Sequence, residues 1–343
     1  MSQVVEHLAE LTAFRDRDVL DVSLVGALHD LLHPEQVAIY RCVGEPGQQR
    51  WFTRARMIRG DVSASADPLW SDLASLPVLD AFPERLSCLQ LERTLNWPGP
   101  PALACFALAA EQQTVGVLEV QTSLPLTQED MRLVSSILRV YSNFQGLLEY
   151  SERDTLTGLL NRKTFDGSFL RTTAQAPPAL PLAATGGGRR QGAQAGAWLG
   201  VIDIDHFKRV NDSFGHLIGD EVLLLLARLM RSTFRFHDHL YRFGGEEFVV
   251  LMRCGGPSEA AAAFERLRAN VQAYPFPQVG SIAVSVGFTQ VRAGDTPDEA
   301  FERADKAVYH AKQNGRNQVA DHAALVAAGR LADAARDSDV ELF

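Results

Sequence analysis

Cysteine is scarce in this sequence: four in 343 residues, at Cys42, Cys88, Cys105 and Cys254, with no C-x-x-C pair. That spacing excludes a disulfide framework and a cysteine-ligated zinc site, and it fits free thiols in a reduced compartment. Positive charge is also short. Lysine and arginine number 33 against 42 aspartate and glutamate, a formal net charge of −9. Such a balance argues against a chain that lives on nucleic acid or on an anionic membrane. No apolar run reaches membrane-spanning length. The first residues, Glu6 and Glu10 among them, lack the basic-then-apolar pattern of a secretory signal. Together these absences predict a cytoplasmic protein with no membrane span and no nucleic-acid partner. What is present suffices for folding, since 46% hydrophobic residues over this length can fill two cores of ordinary size.

The N-terminal half mixes helical and strand patterns. Apolar spacing predicts helices over residues 4–14 and 19–32, the second capped by Asp18. Strands are predicted over 37–43 and 51–58, then a mixed stretch over 68–91, then a strand pair over 102–109 and 115–120. Trp70, Trp97 and Cys88 fall in the less regular middle, where a cavity would lie, although aromatic and apolar residues are more often core. Thr127 then caps a proline-free helix running to about residue 153. Val134, Ile137, Tyr141, Phe144 and Leu148 recur at 3-4 spacing, which predicts a parallel coiled-coil dimer; simple packing on the preceding domain is the plainer alternative.

In the C-terminal half, residues 171–197 are rich in Ala, Gly, Pro and Gln and read as a surface insertion, with Arg189-Arg190 solvated. Residues 198–205 read as a near-continuous apolar strand that ends on Asp203, Ile204 and Asp205. Residues 240–252 contain two apolar runs around Gly244-Gly245, the pattern of a tight hairpin, followed at once by Glu246 and Glu247. Adjacent carboxylates at the mouth of an apolar strand repel each other unless a cation sits between them. Taken alone, the hairpin leaves a metal site and a solvated tip equally open. If the two strands pair, Asp203, Ile204, Glu246 and Glu247 meet at one sheet edge, an all-oxygen set suited to magnesium.

The ordered motifs Ile202-Asp203-Ile204-Asp205-His206-Phe207-Lys208, Asn211-Asp212-Ser213-Phe214-Gly215-His216, Gly219-Asp220 and Arg242-Phe243-Gly244-Gly245-Glu246-Glu247-Phe248 resemble a GGDEF-domain diguanylate cyclase with a GGEEF signature. Asp154 to Arg162 resembles that family's opening motif, and Lys312 with Asn314-Gly315-Arg316-Asn317 its closing motif. The N-terminal half resembles a GAF-like sensor in its order of elements, with a PAS-like sensor as the alternative. The implied architecture is mixed α/β: a sensor domain over residues 1–125, a connecting helix over 126–153, a palm-like cyclase domain over 154–321 with helices covering a sheet that includes antiparallel strands, and a tail over 322–343.

The resemblance implies a site. Asp203, the Ile204 carbonyl, Glu246 and Glu247 would hold two magnesium ions, with manganese as a substitute, and Glu246 would accept the attacking hydroxyl's proton. Phe207, Lys208, Asn211, Asp220, Gly245, Lys312 and Arg316 would bind GTP, Asn211 and Asp220 at guanine, Lys312 and Arg316 at the triphosphate. Arg235 and Asp238 would bind cyclic di-GMP as an inhibitory product, with Arg266 of a neighbouring domain as a weaker candidate for a partner arginine. The implied reaction joins two GTP molecules held by two facing domains, so a homodimer is expected, under a small-molecule or protein signal at the sensor. A degenerate nucleotide receptor and a cyclase making a monomeric cyclic nucleotide are the competing readings.

Overall fold

The computed structural model describes residues 2–13, 16–44, 47–68, 71–110, 113–174 and 196–332. Trp70, most of the Ala/Gly-rich insertion with Arg189-Arg190, and the tail from residue 333 lie outside the described residues. The chain divides into two compact units, Met1–Ser151 and Glu152–Phe343.

The first unit runs α1 (Ser2–Leu11), α2 (Arg17–Leu32), β1 (Gln36–Val43), β2 (Arg50–Ile58), α3 (Pro83–Leu91), β3 (Leu95–Trp97), β4 (Ala102–Ala110), β5 (Gln113–Thr122) and α4 (Gln128–Glu152). Asp16 rather than Asp18 caps α2, accepting the Asp18 N–H at 2.8 Å. The strands form one antiparallel sheet in the order β2-β1-β5-β4-β3. Both faces are covered, and the two-residue period sorts the side chains. Val37, Ile39, Leu118 and Val120 face a core shared with α1, α2 and α4. Ala38, Tyr40 and Val117 face a second cluster that includes Cys88, with Trp97 packed at its edge.

The expected coiled-coil seam is overturned here. Val134, Ile137, Tyr141 and Leu148 are buried in the unit's own core, with Phe144 packed against it. The Tyr141 hydroxyl donates to buried Asp21 and accepts from Arg41 at 2.9 Å. A 3-4 stripe states only that one face of a helix is apolar. In α4 that face is satisfied by its own sheet and α2, so it is not available to a second copy.

The second unit runs β6 (Leu160–Asn161), α5 (Arg162–Ala174), β7 (Gly196–Ile204), α6 (Phe207–Phe214), α7 (His216–Thr233), β8 (His239–Gly244), β9 (Glu247–Cys254), α8 (Pro257–Ala273), β10 (Val284–Gln290), α9 (Pro297–Gln313), β11 (Val319–Asp321) and α10 (His322–Ala327). Its sheet order is β11-β10-β7-β9-β8-β6. β7 lies antiparallel to β9 and β10 on its two sides, and the outer pairs β10·β11 and β6·β8 are parallel. The apolar run in β7 is buried on both faces, as its composition predicts. Trp198, Ile202 and Ile204 enter a core with α6, α7 and α8, while Leu199 and Val201 enter another with α5 and α9. Thr296 and Glu299 close a capping box at the start of α9. Gly287, in the middle of β10, is what lets that helix lie close: a Cβ there would sit 2.2 Å from the Ala304 carbonyl oxygen and 2.3 Å from the Val308 nitrogen.

Candidate active site

The site forms where β7 ends beside the β8–β9 hairpin. Strand register places Asp203 opposite Glu247, and the hairpin closes on the pair Gly244·Glu247. The loop is therefore Gly245-Glu246, one residue later than the Gly-Gly turn read from the sequence. Gly244 and Gly245 both take positive φ, 147° and 52°, which glycine adopts without the strain of a side chain. The shift has a chemical consequence. Glu246 sits on the turn itself, while Glu247 stays on the strand beside Asp203.

The hairpin is anchored from behind. Arg242 donates to the Gly245 carbonyl at 2.8 Å and to Asp154 at 3.0 Å. Asp154 also accepts the Thr157 N–H at 2.8 Å and its hydroxyl at 2.7 Å. Burial acts to raise the Asp154 pKa, but the Thr157 and Arg242 hydrogen bonds prevail and hold it below the usual carboxylate value. Arg153 and Arg231 tie the same loop down through the Gly158 and Thr157 carbonyls, each at 2.6 Å. The 154–162 motif thus buttresses the signature hairpin, a role its spacing does not reveal.

Lys312, in the last turn of α9, places its ammonium 2.7 Å from Asp203 Oδ2. Asp203 Oδ1 is buried with no hydrogen-bond partner. Burial raises the pKa of Asp203 despite Lys312. Glu246 is raised by burial and then by Asp203, and Glu247 by burial and then by Asp305 and Asp203. The cluster holds more negative charge than one lysine offsets. Asp305 joins it from α9, seven residues before Lys312, and the sequence reading missed it. Its spacing of two helical turns from Lys312 was the available signal.

Asp205 is the second residue missed. It is buried, accepts the Ser285 hydroxyl at 2.7 Å, and accepts the Asn317 N–H at 2.9 Å. Arg268 donates to the Asn317 side chain at 2.7 Å. Those contacts hold Arg316 and Asn317 at φ 60° and 46°, a region costly for residues with a Cβ. Arg316 is thereby presented outward, exposed, one helical turn beyond Lys312.

The nucleotide-facing residues fall on α6 and α7. Phe207 begins α6, but its ring is buried in the core, so only its backbone is available to a ligand; Lys208 is exposed. α7 starts at His216, so Asp220 lies inside the helix, on its exposed side. Gly219 is in close contact with Asn211: a Cβ there would lie 2.0 Å from Asn211 Oδ1. That approach brings Asn211 and Asp220 to neighbouring positions.

A second cluster lies away from this edge. Asp238 accepts the Arg235 N–H at 2.8 Å, its other oxygen is buried without a hydrogen-bond partner, and burial pushes its pKa up to about 6. Arg235 reaches Glu259 at 3.1 Å. Arg266 donates to the Thr233 carbonyl and adds positive potential at Asp238 within the same chain.

Residues 186–318 match the family model described as Diguanylate cyclase, GGDEF domain. The C-terminal unit is a GGDEF-type domain. Over 182 residues the chain is 38% identical to diguanylate cyclase DgcP of Pseudomonas aeruginosa, covering 52% of this chain and 25% of that protein. It is 38% identical over 204 residues to the response regulator PleD of Caulobacter vibrioides, covering 58% and 41%. Against diguanylate cyclase DgcZ of Escherichia coli it is 34% identical over 171 residues, covering 49% and 52%. The chain thus spans between a quarter and about half of these curated relatives. The solved GGDEF domain of DgcB from Caulobacter crescentus, in complex with c-di-GMP, is 32% identical with a TM-score of 0.44, covering 50% of this chain and 96% of that one.

The donors of this GGDEF-type domain fit a hard cation. Among the described residues no three His, Cys, Asp or Glu side chains close into a ligand set by themselves. Magnesium does not need one, because it takes one or two carboxylates and completes its shell with water and substrate phosphate. The orphaned oxygen of Asp203, beside two carboxylates of raised pKa, has that chemistry.

Proposed function

We propose that this chain is a diguanylate cyclase, condensing two GTP molecules into cyclic di-GMP with release of two pyrophosphates. The observation that carries the reading is the register that sets Asp203 against Glu247 and puts Glu246 on the turn, with Lys312 and Arg316 at one end of α9. Asn211 and Asp220 would read guanine, since an amide and a carboxylate complement its O6/N7 and N1/N2 edges. The α6 N-terminal amides, Lys208, Lys312 and Arg316 would hold the triphosphate. Glu246, kept above the usual carboxylate range by burial and by Asp203, is suited to accept the proton of the 3′-hydroxyl as it attacks the α-phosphorus. Magnesium at Asp203, Ile204, Glu246 and Glu247 would supply charge neutralisation of the transferring phosphate.

One domain holds one GTP, so the reaction needs two domains facing each other, which is the reason to retain a homodimer although the α4 stripe is internally satisfied. The N-terminal unit would act as a GAF-like sensor in a cytoplasmic protein. Cyclic di-GMP at Arg235, Asp238 and Arg266 would restrain the enzyme as its product accumulates. Incubation of the chain with GTP and magnesium, with the product identified by mass spectrometry, tests the reading. Cyclic di-GMP supports it; binding of GTP without turnover would instead indicate a receptor, and a monomeric cyclic nucleotide the other cyclase class.

A further inference from the structure

Resting on that reading, the two cations at the end of α9 are in different states. Arg316 is exposed at the rim of the loop, presented by its left-handed backbone. Lys312 is only partly exposed, and its ammonium is already engaged at 2.7 Å with the carboxylate expected to ligate metal. The remaining oxygen of that carboxylate, Asp203 Oδ1, is buried and has no partner. An ammonium on Oδ2 and a divalent cation on Oδ1 would stand side by side on one carboxylate, where two positive charges repel strongly.

We propose that Lys312 is the resident counter-ion of Asp203 and is exchanged for metal only when a triphosphate arrives. In the nucleotide-free protein the ammonium offsets part of the acidic charge of Asp203, Glu246, Glu247 and Asp305. A divalent ion arriving alone must displace it and leave it without an anion. A metal–triphosphate complex brings its own phosphate oxygens, so the side chain swings from carboxylate to phosphate. Its stem lets it do so, since lysine is a point charge on four flexible carbons. Metal and nucleotide therefore bind cooperatively, and by linkage each raises the affinity of the other by the same factor. The site would in this way discriminate against free metal.

The test is manganese binding to the full chain, followed by electron paramagnetic resonance, for the parent, Lys312→Met and Lys312→Arg. With Mn2+ alone, Lys312→Met should bind on the order of ten-fold tighter than the parent, a typical coupling magnitude, while Lys312→Arg, which keeps a cation, should not gain. With a non-hydrolysable GTP analogue present, the parent should gain Mn2+ affinity and Lys312→Met should gain much less. Equal or weaker Mn2+ binding by a folded Lys312→Met protein overturns the exchange while leaving the cyclase reading intact. A parent that fails to bind Mn2+ even with the analogue removes both.

Discussion

Gly287 controls how close α9 lies to the sheet, and through it where Lys312 stands. A methyl group at this position would meet the Ala304 carbonyl oxygen at 2.2 Å, the Val308 nitrogen at 2.3 Å and the Ala307 carbonyl carbon at 2.8 Å. All three are backbone atoms of one helix, so no side-chain rotation relieves the overlap. Nor can β10 retreat, because it is paired with β7 on one side and β11 on the other. Without that overlap, replacing glycine by alanine would stabilise the chain by about 0.4–1 kcal/mol through the unfolded state. With it, α9 must move outward by roughly an ångström, and overpacking of a tight core typically costs about 1–3 kcal/mol. The severity of the overlap puts the cost at the upper end of that range, so Gly287→Ala should lose about 2 kcal/mol net of the unfolded-state gain and lengthen the Lys312–Asp203 contact. Hydrogen exchange of the β7 and β10 amides along a urea series isolates the C-terminal unit from the rest of the chain. A loss below about 0.5 kcal/mol would refute the idea that backbone approach at this glycine is what positions α9.

Three further outcomes follow from particular residues. Glu246→Gln keeps the turn but removes the proposed proton acceptor, so cyclic di-GMP synthesis should fall by at least about 100-fold with unchanged thermal unfolding; retained turnover would take Glu246 out of the chemistry. Asp238 is nearly buried and its pKa is raised to about 6 against about 3.9 unfolded. A carboxyl with a raised folded pKa contributes stability below the unfolded value that is lost as pH rises through the folded one. Asp238→Asn should therefore gain on the parent between about pH 4 and 6, by on the order of 3 kcal/mol at pH 7.5, and parallel stability–pH curves would contradict this. Ile137→Glu should unfold the N-terminal unit, since a lone charge buried in a core costs several kcal/mol; a folded unit whose only change is a lower mass by light scattering would restore the dimer seam.

The sequence alone was enough to identify the GGDEF-type half, because its motifs are written in short segments whose spacing is local. A fully apolar strand ending in aspartates and a Gly-Gly pair ahead of two glutamates each carry their own signal. What it left undecided were quantities set between segments. The hairpin register moved the loop to Gly245-Glu246, because a one-residue slip depends on the partner strand and not on the turn residues alone. Core packing withdrew the Phe207 ring from any ligand. The Arg242 bridge to Asp154 spans 88 positions of sequence and that of Asp205 to Asn317 spans 112, distances over which no periodicity carries information. The α4 stripe shows the limit most clearly. Its 3-4 spacing states that one helical face seeks apolar contact, and the same spacing serves a coiled coil or a domain core equally well. Only the tertiary structure, by placing α2 and the first sheet against that face, decided between them.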